Sequence, residues 1–155
     1  MTKKTAGMIA LLMVISPDFV NGEPGVIVTI AGGAEGGFWG DGGPVTEARL
    51  DRPNDITGDD QGNLYIASFG NNRVRKIDAN GIITRIAGNG DMLDFPADNL
   101  PALEAGVYRP TSVLFDQQGR LLVAELLGRI RVIDEAGITR TIAGIPSGGV
   151  TDDGV

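Results

Sequence analysis

"RPNDITGDDQGNLYIASFGNNRVRKIDANGIITRIAG" runs from Arg52 to Gly88, and "RPTSVLFDQQGRLLVAELLGRIRVIDEAGITRTIAG" runs from Arg109 to Gly144. The second is the first over again. "RPNDI" returns as "RPTSV", "DDQGNLYIA" as "DQQGRLLVA", and "RVRKIDANG" as "RIRVIDEAG". Working outward, the segment before each copy repeats as well: "PVTEARLDRP" from Pro44 matches "PALEAGVYRP" from Pro101. A third fragment, "GVIVTIAGG" from Gly25, matches "GIITRIAGN" at Gly81 and "GITRTIAGI" at Gly137, 56 residues apart each time. A period this long, filled with short strands, signals stacked supersecondary units.

Each unit reads as four strands. The first lies near Asp55–Gly58 and Ser112–Asp116, the second at Asn63–Ser68 and Arg120–Leu126. The third lies at Arg73–Asp78 and Arg129–Asp134, the fourth at Ile82–Ala87 and Ile138–Ala143. "DDQGN" and "DANG" place glycine where a tight hairpin needs positive φ. The second strand is apolar at consecutive positions (Leu64-Tyr65-Ile66-Ala67 and Leu121-Leu122-Val123-Ala124), the pattern of a strand covered on both faces. The third alternates more, with Arg73 and Arg75 around Val74, which predicts rim charges pairing with Asp or Glu; Arg129 and Arg131 repeat the pattern. Four-stranded units packed face to face are propeller blades.

These residues resemble the NHL-repeat β-propeller family. "DRPNDITGDDQGNLYIASFGNNRVRKID" looks like an NHL repeat, and "IAGGAEGGFWGDGGP" looks like the glycine-rich connector between blades of exported bacterial members. The resemblance implies an all-β chain carrying about two four-stranded blades, at 52–88 and 109–144, with connectors at 31–52 and 88–109. It also implies a parent that is as a rule six-bladed, and a partner that is protein, RNA or glycan. A minority of similar propellers are amidating lyases or lactonases.

Composition narrows the function. The chain has 155 residues, 42% of them hydrophobic, enough for one domain. Its net charge of −7 argues against nucleic acid, whose binding rests on Lys and Arg. With no cysteine and no histidine, disulfides, thiolate sites, a Ser-His-Asp triad and His-ligated metals are excluded for this chain. Residues 1–22 read as a secretory signal: Lys3 and Lys4, then an apolar run from Ala6 to Ile15, then Pro17 and small residues up to Gly22. The expected location is periplasmic or extracellular, and 23–155 is the expected mature propeller segment, with no stable membrane span after cleavage.

The connector "GGFWGDGGPVTEARLDRP" and the turn "SFGNN" should share one end of the blades, opposite "DDQGN" and "DANG". Candidate ligand-binding residues on that end are Phe38, Trp39, Asp41, Phe69, Asn71, Asn72 and Asp98, with Arg52, Asp55 and Arg109 at the mouth of a central channel. Pro44 can open a short helix over Val45–Leu50, and Pro53 should hold Arg52 extended. Trp39 is either a plug between blades or an exposed contact. Arg52 and Asp55 either line the mouth or bond neighbouring backbone and each other. Asp41 either closes a turn or ligates calcium, since surrounding glycines would let carbonyls converge on a hard cation. The second connector keeps Phe95, Asp98 and Pro101 but has Asn99-Leu100 for Gly42-Gly43, so its backbone should differ. Glu125 stands where Ser68 does and reads as a surface acid. No Gly-Lys-Ser/Thr triplet or full dinucleotide fingerprint supports a nucleotide site.

Two blades are fewer than a closed ring needs. Gly25–Gly32 is a lone fourth strand, and "SGGVTDDGV" begins another connector. If about five apolar side chains per open face stay wet, the loss is on the order of 10 kcal/mol. The expectation is a piece of a longer propeller, its faces covered by the remaining blades; if self-contained, three copies would supply six. The expected role is a binding or scaffold module that recognises protein or carbohydrate on its loop-rich end and needs no cofactor. The alternatives are a fragment of a lyase or lactonase, using a central divalent metal with carboxylates from Asp41, Asp55, Asp98 and Glu125, and a structural spacer.

Overall fold

A computed structural model describes residues 29–33, 35–91 and 98–144. The signal segment, the first half of the lone strand Gly25–Gly32, Phe95 and the final glycine-rich stretch lie outside the described residues. The chain is all-β. Its first sheet contains β1 (Gly43–Pro44), β2 (Pro53–Gly58), β3 (Leu64–Ser68), β4 (Arg73–Ile77) and β5 (Ile82–Ala87) in the order β1-β5-β4-β3-β2. The second repeats it with β6 (Leu100–Pro101), β7 (Pro110–Phe115), β8 (Leu121–Glu125), β9 (Ile130–Ile133) and β10 (Ile138–Ala143), in the order β6-β10-β9-β8-β7. All pairings are antiparallel, and β2 and β7 begin with the same bulge, at Pro53/Asp55 and Pro110/Ser112.

The hairpins form where the glycines allow. Gly62 and Gly81 have φ of 85° and 78°. Asp59 accepts from the Gln61 and Asn63 amides, and Asp78 from those of Asn80 and Ile82, so each turn is closed by its own aspartate.

The fifth strand was not expected. Each connector lays two residues along the outer edge of the blade it precedes, Gly43 against Ile83 and Leu100 against Thr139. Gly42 (φ 82°) and Asn99 (φ 65°) make the same left-handed step, while Gly43 and Leu100 are both extended. The expectation that Leu100 forces a different backbone is therefore wrong. The positive φ falls one residue earlier, at a position where asparagine is tolerated. The helix over Val45–Leu50 shrinks to a single 3-10 turn, Val45–Glu47, because Ala48 is already extended.

The sheets stack through a core of Ala67, Val74, Ala87, Ala102, Val107, Val113, Leu121 and Val123. The inner strands β2 and β7 pack directly on each other. Connector residues Ala102 and Val107 fill the interface between blades, as Val45 and Ala48 cover Leu64, Ile66, Ile77 and Ile83 on the far side of the first blade. Ile30 and Ala31 pack there too. Burial of both faces of β3 is as its apolar run demanded. Ile56 is 51% exposed on the first sheet, and Leu114 (48%) and Ile142 (52%) on the second, in keeping with wet outer faces.

Candidate functional site

The connector is fixed by a buried arginine. Arg75 is fully buried on β4, not a rim charge. Its Nε and Nη2 donate to Asp41 Oδ1 at 2.9 and 2.7 Å, Nη1 to the Arg49 carbonyl at 2.8 Å, and Nη2 to the Trp39 carbonyl at 3.1 Å. One Asp41 oxygen is thus held by a guanidinium, and Asp41 closes the connector through Arg75. Among the described residues no group of three or more His, Cys, Asp or Glu could hold a metal ion. Phe38 lies under Arg73 (3.9 Å) and beside Arg75 (5.1 Å), so its ring braces the connector. Trp39 points away from them and is 71% exposed among the described residues.

The second blade keeps the plan in looser form. Arg131, also buried, donates to the Gly106 carbonyl at 2.7 Å, the counterpart of Arg49, and reaches Asp98 at 3.5 Å. Asp98 also accepts from the Thr141 amide and hydroxyl at 2.8 and 2.9 Å. Glu125 is buried, not a surface acid, and its carboxylate takes two N–H groups of Arg129, itself buried. Burial pushes the Glu125 carboxyl up, and the Arg129 contact works against that shift. The expected pairing with Asp or Glu holds for Arg75, Arg129 and Arg131, but their rim placement fails because each has acceptors inside the fold, so alternation along the strand did not mean exposure.

The residues expected at a channel mouth stand at the starts of β2 and β7. Arg52 (φ 45°) and Arg109 (φ 43°) are both left-handed, although each precedes a proline. The expected extended Arg52 is overruled. Turning the residue over lets the Arg52 carbonyl accept from the Phe69 amide, and the Arg109 carbonyl from the Leu126 amide, each at 3.2 Å. These bonds hold connector and turn together on one end, as the strand directions implied. The side chains that result converge. Phe69, half-buried in the 3-10 turn Phe69–Asn71, has the Arg52 guanidinium at 5.7 Å and that of Arg109 at 5.6 Å from its ring centroid; Tyr108 lies 5.5 Å from Arg109.

The neighbouring candidates serve the frame. Asn71 is buried and accepts from the Asp51 amide and the Ser68 hydroxyl. Asn72, left-handed at φ 53°, accepts from the Arg109 amide at 2.9 Å. Asp55 reaches across the blades to Ser112 Oγ (2.6 Å) and the Val113 amide (2.9 Å), rather than bonding Arg52. The Ser112 hydrogen bond in particular draws its carboxyl below the ordinary range.

One cleft went unforeseen. At the opposite end the blades diverge around a space of ≈ 800 Å³ lined by Asp59, Asp60, Tyr65, Phe115, Asp116 and Glu135. Tyr65 and Phe115 meet edge to face at 4.8 Å. Burial and the bond to Asp59 push the Tyr65 phenol up to about 12. In sequence these acids look like ordinary turn residues, and only blade stacking brings them together.

No family model matches the chain, and no curated protein does. Solved structures do. A protein of unknown function from Bacteroides thetaiotaomicron is 31% identical over 61% of this chain and 24% of its own, with a TM-score of 0.52. Virginiamycin B lyase from Staphylococcus aureus is 23% identical over 57% of this chain and 26% of its own, TM-score 0.41. A streptogramin B lyase is 13% identical over 61% and 27%, TM-score 0.44. The chain spans about a quarter of the length of each. With its two stacked antiparallel sheets, the chain is a partial β-propeller.

Proposed function

We propose that this chain is part of an exported NHL-type propeller that acts as a binding module, taking a protein or glycan partner on its loop-rich end. The observation that carries this reading is the convergence of side chains there. Phe69 has two guanidinia at 5.7 and 5.6 Å from its ring centroid, and Trp39 stands 71% exposed on a connector that Arg75 anchors. An ordered connector presenting an exposed aromatic limits the entropy lost on binding. The two parts are joined: Arg73, stacked on Phe38, donates to the Asn71 carbonyl at 2.8 Å, in the turn that carries Phe69. The same end presents Leu126 and Leu127, 45% and 41% exposed, in the turn of the second blade.

The test applies the full chain to peptide and glycan arrays. Trp39→Ala and Phe69→Ala should abolish the signals while the thermal transition persists. Phe38→Ala should lower the transition, since Phe38 braces two arginines. Arrays without signal, or with signals unchanged in both Trp39 and Phe69 variants, would refute the reading.

A further inference from the structure

We infer that Arg109 is the anchor of a carboxylate-binding site, and that its ligand is a protein segment carrying an acidic residue beside an aliphatic one. This rests on the loop-rich end being the binding face. The first observation is an imbalance. Among the described residues, Arg109 is the one arginine whose guanidinium meets neither a carboxylate nor a carbonyl. Its contacts are to the Phe69 and Tyr108 rings. In a chain of net charge −7, a half-buried arginine whose guanidinium has no acceptor stands out.

The nearby carboxylates are committed elsewhere: Glu125 to Arg129, Asp55 to Ser112, and Asp51 to Arg52 at 3.4 Å. The second observation is that the residue's backbone is set by the fold. Its amide donates to Asn72, its carbonyl accepts from Leu126, and its φ of 43° precedes a proline. Such positions cost on the order of 1–3 kcal/mol and persist only where surroundings over-determine them. Contacts with two rings restrict the guanidinium while leaving its N–H edges free, and planar N–H edges match a carboxylate.

The third observation selects the ligand. Leu126 and Leu127 are exposed in the adjoining turn, and Arg52 supplies a second positive charge beside Phe69. Cation and aliphatic surface side by side suit an acidic–aliphatic peptide. A sugar stacking at this site would need the Phe69 face, and both guanidinia lie against that ring.

The test follows the arginine Nε–Hε resonances of the full chain, with that of Arg109 assigned from Arg109→Lys. The probes are N-acetyl-Leu-Asp-Leu-amide, the same peptide with asparagine for aspartate, and tetragalacturonate. The acidic peptide should shift the Arg109 signal saturably, and the asparagine peptide should bind at least tenfold more weakly. Arg109→Lys should weaken the acidic peptide about tenfold with an unchanged melting transition, Leu126→Ser should weaken it severalfold, and Arg140→Gln should leave it unaltered. Equal binding of both peptides, no shift with either, or a shift with tetragalacturonate alone would overturn the inference. Array signals that still depend on Trp39 would show in that case that the broader binding role stands and only the Arg109 assignment fails.

Discussion

Replacing Asp41 with alanine tests the connector anchor directly. Arg75 has no exposed surface and makes four N–H···O contacts, two of them to Asp41. Asp41→Ala leaves a buried guanidinium with two backbone carbonyls and no counter-charge. Breaking a fully buried pair from one side costs roughly 3–5 kcal/mol. The Asp41 side chain is 30% exposed, so water entering from its side recovers part of that loss. We expect about 2–3 kcal/mol, read as a lower urea midpoint with an unchanged slope. The equivalent Asp98→Ala should cost less, about 1 kcal/mol. There the contact to Arg131 is 3.5 Å rather than 2.7 Å, and Glu125 lies 3.9 Å from the same guanidinium.

Arg75→Met should bring the Asp41→Ala penalty close to zero in a double-mutant cycle, because no buried charge is left to strand. Amide exchange supplies a second readout. The Gly42 and Val45 amides, which donate to Ile83 and Gly81, should exchange faster in Asp41→Ala than the amides of β3. A cost below about 0.5 kcal/mol, the level of an ordinary surface change, would refute the anchor. So would equal penalties at Asp41 and Asp98.

Asp55→Asn should cost about 1–2 kcal/mol at neutral pH, since it weakens a charge-assisted bond between blades. The folded Asp55 carboxyl lies below its ordinary value, so its contribution is present above about pH 3.9 and is lost as pH falls through the folded value. The gap between wild type and variant should close in acid, by chemical unfolding across that range. Gly88→Ala should cost about 2 kcal/mol or more, because φ is 86° and a methyl group would meet the Asn72 carbonyl. Gly119→Ala, with φ of 76° but open space around it, should cost about 1 kcal/mol by thermal unfolding. Spectrophotometric titration should find the Tyr65 phenol resisting ionisation until about 12, and Asp59→Asn should lower that value. The stability that the neutral Tyr65 phenol contributes should be whole below about pH 10 and disappear as pH rises through 12.

The repeat alone determined the architecture. Hairpin glycines, apolar runs at Leu64–Ala67 and Leu121–Ala124, and a 56-residue period leave few arrangements besides stacked antiparallel sheets. Those signals are local, or depend on comparing one stretch with another, so they can be read without coordinates. They also placed the connectors and the Phe69 turn on one end, because strand direction follows from the order of the hairpins.

What the side chains do was decided by tertiary structure. Arg75 and Arg131 read as rim charges, yet they are buried, because their acceptors lie 26 or more and 25 residues upstream along the chain. Arg52 reads as extended, yet a hydrogen bond to a turn 17 residues downstream holds it left-handed, and Arg109 is held the same way. Local propensity is worth a kilocalorie or two per residue. A buried charge or a backbone group without a partner costs as much or more, and its partner is set by packing. Where the two compete, as at each connector's end, packing prevails and creates the convergence of arginine and aromatic side chains proposed as the binding site.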